Sequence, residues 1–161
     1  MEIPKRKRIR LKDYDYSNSG VYFITVCVKD RKTLLWNNVG ATTGRQTEPR
    51  LSVCGKIVDE AIRKIPIHYS KIKIDNYVIM PNHIHLLLSI EDDISGRPVV
   101  APTISVVINQ MKGYVSKQIG YSLWQKSFID HIIRNERDYI EHYTYIENNP
   151  IKWELDDLYT E

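Results

Sequence analysis

Tyr77-Val78-Ile79-Met80-Pro81-Asn82-His83-Ile84-His85-Leu86-Leu87-Leu88-Ser89-Ile90 consists of two apolar runs broken by Pro-Asn. β-Branched, apolar runs on either side of a turn dipeptide predict a hairpin of buried strands. Side chains alternate along a strand, so His83 and His85 project to one side and Ile84 to the other. Two of the chain's five histidines thus form a same-face pair. A lone histidine on an apolar strand is ordinarily a hydrogen-bonded core or surface residue, whereas a same-face pair suits metal ligation. Two imidazoles still leave the ligand set of a catalytic cation incomplete, and the rest of the chain has to supply what is missing.

At 161 residues the chain has the length of one domain with a real core. Hydrophobic content of 42% and charged content of 27% are globular values. No apolar run approaches the roughly 18 residues of a membrane helix, so a soluble protein without membrane association is expected. The N-terminus has no secretory pattern, and Cys27 and Cys54 lack metal or redox spacing, which predicts a reducing, cytoplasmic home. The net charge is only +3, but Lys5, Arg6, Lys7, Arg8, Arg10 and Lys12 crowd the start while Glu154, Asp156, Asp157 and Glu161 crowd the end. We therefore read residues 1–20 as a basic arm, 21–153 as the domain and 154–161 as an acidic tail. Such an arm either tracks phosphates or is simply solvated.

Val21-Tyr22-Phe23-Ile24-Thr25-Val26-Cys27-Val28 is β-branched and aromatic throughout and predicts a central strand buried on both faces. Residues 38–50 read as a loop. From Leu51 to Ile65, apolar residues recur at helical spacing, with Pro66 as the expected end. Lys71 to Met80 alternates as a strand, with Ile72 and Ile74 on one face. After a polar stretch, a second helix spans Thr103 to Ile119, with Gly120 suited to its exit. Strand, helix, hairpin, helix is a ferredoxin-like order, an α+β fold.

A last helix starts at about Asn135. Tyr139, Tyr143 and Ile146 fall at i, i+4 and i+7 and predict its core stripe. Tyr145 lies about 100° from Ile146 and shares its side with Asp138, Glu141, His142 and Asn149. A tyrosine framed by polar residues suggests a role other than packing. Asn149 is one turn further on, so the phenol and the amide oxygen can address the same point. A phenol with its ordinary pKa of about 10 is a feeble nucleophile, but a divalent cation that polarises a phosphodiester lowers the activation it requires. Tyr114, Tyr139 and Tyr143 are the competing tyrosines.

Met80-Pro81-Asn82-His83-Ile84-His85-Leu86, Leu123-Trp124-Gln125, Asp130-His131-Ile132-Ile133-Arg134-Asn135 and Tyr145-Ile146-Glu147-Asn148-Asn149-Pro150, in this order, resemble the HUH-type single-tyrosine transposases, in the branch related to the REP-associated tyrosine transposases. The resemblance runs from about Val21 to Trp153. It implies a ferredoxin-like HUH nuclease fold: a central antiparallel sheet, helices on one face, and a C-terminal helix that carries the tyrosine. The implied activity is cleavage and rejoining of single-stranded DNA near hairpins through a 5′-phosphotyrosine. His83, His85 and Asn149 are then the ligands of Mg²⁺ or Mn²⁺, and Tyr145 is the nucleophile. Imidazole also suits zinc, so the choice of metal comes from the family alone.

The implied partner is single-stranded or hairpin DNA, met by a monomer or a homodimer in a nucleoid-associated setting. Lys5, Arg6, Lys7, Arg8, Lys112, Lys117 and Arg134 are the candidates for its backbone. For His131, holding the last helix is the favoured reading. Two alternatives remain: a non-catalytic hairpin-binding protein of the same fold, and a hydrolase that leaves no covalent link.

Overall fold

The apolar run after Gly20 forms β1 (Gly20–Cys27), an inner strand of the sheet, where a run without polar alternation belongs. The structure, a computed structural model, describes residues 20–37, 51–91 and 103–150. The predicted loop at 38–50, the basic arm through residue 19 and the acidic tail therefore lie outside the described residues. In chain order the other elements are α1 (Val53–His68), β2 (Ile72–Ile79), β3 (His83–Ile90), α2 (Ile104–Ile119), β4 (Ile129–Ile132) and α3 (Glu136–Asn148). The four-stranded sheet has the order β2-β3-β1-β4, and every neighbouring pair is antiparallel. This is the ferredoxin-like α+β arrangement, in which β3 inserts between β1 and β2.

Two of the sequence expectations change. β4 is a fourth strand where no strand is predicted, because Ile129-Asp130-His131-Ile132 is short and half polar, as an edge strand tolerates. Pro66 sits inside α1, which continues to His68. The proline deprives one carbonyl of its helical partner, but so near the end the cost is small, and Tyr69 N–H still donates to Ile65 O at 2.9 Å.

Alternation along the inner strands sorts the side chains onto two faces. Tyr22, Ile24 and Val26 of β1 and Ile84, Leu86, Leu88 and Ile90 of β3 pack with the apolar sides of α1 and α2 into the main core. Phe23 and Leu87 point the other way and, with Val78, Met80 and Ile146, form a smaller cluster beneath α3. The helices are thus divided: α1 and α2 cover one face, and α3 lies on the other.

A register shift between Ile74 and Asn76 marks a bulge in β2. A bulge sets two residues of one strand against one of its partner, so neighbouring side chains leave on the same side. Asp75 accepts hydrogen bonds from Ser89 Oγ and Tyr139 Oη at 3.0 Å each, and Asn76 Nδ2 donates to Glu147 at 2.8 Å. Both therefore serve the α3 face, and both hold α3.

The turn between β2 and β3 is braced from behind. Leu35 N–H donates to Pro81 O at 3.0 Å, Ser52 N–H donates to Leu35 O at 3.0 Å, and Ser52 Oγ caps α1 by accepting from Gly55 N–H at 3.0 Å. Gly55 is what lets α1 approach so closely: a Cβ there would stand 2.2 Å from Leu35 O. Among the described residues no helix is long and apolar enough to cross a membrane.

Within a helix, Gly→Ala ordinarily gains about 1 kcal/mol. Gly55→Ala is expected to do the opposite and destabilise by about 1–3 kcal/mol in urea unfolding, since rigid backbone must give way. A stabilised variant would show that the Leu35 contact does not set the position of α1.

Candidate active site

His83 and His85 open β3 on the α3 face, 0% and 3% exposed. A buried imidazole must satisfy its ring nitrogens, and here each Nδ1 has a partner. Asn82 Nδ2 donates to Arg31 O across a long 3.4 Å, which turns its Oδ1 toward His83 Nδ1 at 2.7 Å. An amide oxygen can only accept, so His83 carries its proton on Nδ1 and presents a lone pair at Nε2. His85 Nδ1 lies 2.9 Å from the Thr25 hydroxyl, its directly paired neighbour on β1. A hydroxyl donates or accepts, so it supports either tautomer of His85. The two Nε2 atoms converge to 3.1 Å. As the rings stand, His85 Nε2–H can donate to His83 Nε2; with the His85 proton moved to Nδ1, two lone pairs would face one point, the disposition of two ligands of a cation.

Helix α3 brings the tyrosine to this pair. Asn135 Oδ1 caps it by accepting from Asp138 N–H at 2.9 Å, and Ile146, 2% exposed, anchors it in the smaller core. The Tyr145 ring lies against His85 with centroids 5.3 Å apart in an edge-on contact, and 6.1 Å from Phe23. Tyr145 nevertheless remains 45% exposed. A phenol that touches a buried histidine and also solvent is open to a substrate.

The expected core stripe holds for Ile146 and Tyr139 but not for Tyr143, which is 39% exposed and stacks on Tyr139 at 6.1 Å. The apolar contact on this face is narrow, so a third large ring is left outside it. Tyr139 itself is tied to Asp75; burial, first, and then that carboxylate push its phenol up to about 12, which makes it a poor nucleophile. Tyr114 accepts from Lys64 Nζ at 3.0 Å in the α1–α2 layer, on the far side of the sheet.

Asn149 is the C-cap of α3, one turn beyond Tyr145 and 3% exposed. Its buried Nδ2 has no hydrogen-bond partner among the described residues. Two convergent imidazole nitrogens suit a divalent cation, and the Asn149 amide, whose oxygen is the atom able to ligate, is buried at the end of the helix that carries Tyr145.

The basic candidates fare unequally. Lys5, Arg6, Lys7 and Arg8 lie outside the described residues. Lys112 is a correction: it is 9% exposed, and its Nζ donates to Gln125 O at 2.6 Å and Lys126 O at 3.2 Å, so it ties α2 to the segment before β4. Its aliphatic stem belongs to the helix's buried stripe, which spacing alone does not separate from a surface lysine. Lys117 is exposed, but on α2 across the sheet from the histidines. Arg134 is exposed between β4 and α3, and its backbone N–H donates to Asp138 in the first turn of α3.

Sequence reasoning missed the residues around the pair. Thr25 looks like any β-branched strand residue, and Asn82 like a turn residue. Beyond Phe23, His131 Nε2 donates to the Asp138 carboxylate at 2.9 and 3.0 Å, and His142 Nδ1 stands 3.1 Å from the same carboxylate. Burial alone would raise the Asp138 carboxyl, but the hydrogen bonds from His131 and from Arg134 N–H, with the two imidazoles' charge, outweigh it and hold it below the usual range. His131 thus secures the start of α3, in keeping with the structural reading.

Comparison with known proteins gives concordant results. The family model described as "Transposase IS200 like" matches residues 17–149. An uncharacterized protein of Haemophilus influenzae is 32% identical over 99% of this chain and 96% of its own length. The REP-associated tyrosine transposase of Escherichia coli K12 is 26% identical, over 85% of this chain and 70% of its own. A solved REP-associated tyrosine transposase bound to a REP hairpin superposes with a TM-score of 0.63 at 24% identity, over 89% of this chain and 74% of that one, which supports the fold.

If Thr25 holds His85 in the ligating tautomer, Thr25→Val should weaken Mn²⁺ binding by about 10- to 100-fold, while Thr25→Ser keeps it. Titration calorimetry without DNA reads the difference, and equal affinities in all three proteins would remove Thr25 from this role.

Proposed function

The chain belongs to the IS200-like transposase family, and on that footing we propose that it cleaves and rejoins single-stranded DNA beside a hairpin, with Tyr145 as nucleophile. The observation that carries this reading is the contact of a half-exposed Tyr145 with His85, whose Nε2 converges with that of His83. A non-catalytic binder would need no such convergence. The hairpin substrate is taken from the relatives, one of which is described as bound to a REP hairpin.

His83, His85 and Asn149 are the residues that would hold the cation, Mg²⁺ or Mn²⁺. When bound, it supplies Lewis-acid polarisation of the scissile phosphate. The remaining work falls to the chain. Tyr145 Oη forms a bond to phosphorus as the bond to the 3′-oxygen breaks; the phenol's proton departs and the released strand ends in a 3′-hydroxyl. The 5′-phosphotyrosine left behind conserves the ester, so a second 3′-hydroxyl can displace Tyr145 and reseal the strand. The rigid inner strand fixes both imidazoles before substrate arrives, which removes reorganisation from the attack. Arg134, with the basic arm, is a candidate for phosphates flanking the cut, and such contacts weaken with salt.

Incubation with hairpin-bearing single-stranded DNA and Mg²⁺ should give an adduct that survives denaturing electrophoresis. Tyr145→Phe should reduce the adduct to background, and so should the His83→Ala, His85→Ala double variant. An undiminished adduct in Tyr145→Phe would refute the nucleophile, and cleavage with no adduct in the unaltered protein would favour a hydrolase.

A further inference from the structure

On the far side of the Phe23 ring from the His83–His85 pair, a second group of ligand-type side chains joins β4 to α3. Phe23 stacks on His85 at 5.1 Å and meets His142 at 4.6 Å, so the groups are neighbours that share no residue. His131 comes from β4, while Asp138 and His142 come from successive turns of α3. One ligand atom from each of the three lies within 4.8 Å of the others.

We propose that His131, Asp138 and His142 form a second metal site, selective for a zinc-class transition ion, that clips α3 to the edge of the sheet. The donor set is two imidazoles and one carboxylate, a combination that suits zinc over Mg²⁺, which prefers an all-oxygen shell. An i, i+4 pair on a helix with a third ligand from a neighbouring element is a spacing from which zinc sites are built. The distances are close to what the ion needs. Ligands about 2.0–2.2 Å from zinc at tetrahedral angles stand roughly 3.3–3.5 Å apart. The carboxylate lies 2.9 Å from His131 Nε2 and 3.1 Å from His142 Nδ1, while the two imidazoles stack at 4.7 Å between centroids and 18° between planes, so one ring has to turn out of the stack before both nitrogens face the ion.

As ligands, His131 would bind through Nε2 with its proton on Nδ1, and His142 through Nδ1 with its proton on Nε2. The bond from His142 Nδ1 to Asp138 O, 2.8 Å, is given up, but that carbonyl keeps its helical N–H partner. Asp138 is retained near the site by Arg134 N–H, which donates to its carboxylate at 3.1 Å. His131 is exposed and its two partners half-buried, so an ion can enter from solvent and keep an open position. The inference does not depend on the transposase chemistry, because it concerns binding by residues that chemistry leaves unused.

The test uses the full chain without a histidine tag, in a His83→Ala, His85→Ala background that removes the first pair. Titration with Co²⁺, followed by its visible absorption and displaced with Zn²⁺, should show one equivalent bound, and Zn²⁺ should raise the melting temperature. Adding His131→Ala, on the exposed edge strand, should abolish the absorption and the thermal shift while far-UV circular dichroism is unchanged. If that variant misfolds, Asp138→Asn provides the second reading and should weaken Co²⁺ by at least about tenfold. Absence of bound Co²⁺ at 0.1 mM (about the weakest affinity worth calling a site), or undiminished binding in a folded His131→Ala protein, would overturn the proposal. Neither result bears on the covalent adduct, which is read in the protein with its first pair intact.

Discussion

The site depends on two imidazoles having been taken out of water together. Burial leaves a ring nitrogen with either a partner or a penalty, and the inner position of β3 decides which partners exist. Thr25 is available to His85 only because β1 pairs with β3 in a register that sets them directly opposite. Asn82 is available to His83 because the turn before β3 is held by Leu35 and Val28 through backbone bonds to Pro81 and Asn82. A slip of one residue in either pairing would send the histidines into the α1–α2 core and Ile84 into the site. The hydrophobic face of β3 thus enforces the aim of its polar face.

The β2–β3 hairpin, both inner strands, three helices and the pairing of His83 with His85 were legible from periodicity, because alternation and helical spacing leave direct traces in a sequence. What lay hidden is tertiary. A fourth strand of four residues has too little pattern to announce itself, and its pairing with β1 is what brings His131 to α3. The helical spacing of Tyr139, Tyr143 and Ile146 is right, yet only a narrow apolar patch waits beneath it, so Tyr143 stays outside. Lys112 illustrates the reverse case, a charged residue whose destination is a pair of carbonyls inside the fold. The Tyr145 placement followed from its polar neighbours, while the orienting roles open to Thr25 and Asn82 require cross-strand contacts that no single strand encodes.

Helix α3 is attached differently from α1 and α2. Those two share the main core, whereas α3 rests on Ile146 and a few aromatic contacts and is otherwise tethered by polar links: Asp75 to Tyr139, Asn76 to Glu147, and His131 to Asp138. Directional links fix orientation more than they add stability, since a hydrogen bond contributes only about 1 kcal/mol net. The element that carries the phenol is therefore positioned accurately without being strongly held.

The bulge in β2 bears on how such a helix could have been added to the sheet. On either side of it the alternation of β2 is regular, so with Asp75 removed Ile74 and Asn76 would follow one another in proper register against β3. The sheet has no need of Asp75; its carboxylate serves Ser89 and Tyr139. In lineage terms, a single inserted codon is the smallest change that leaves a strand's pairing intact and still plants a new acidic hook on its outer face. The histidine-bearing hairpin, on which the core relies, keeps its pairing with or without that hook.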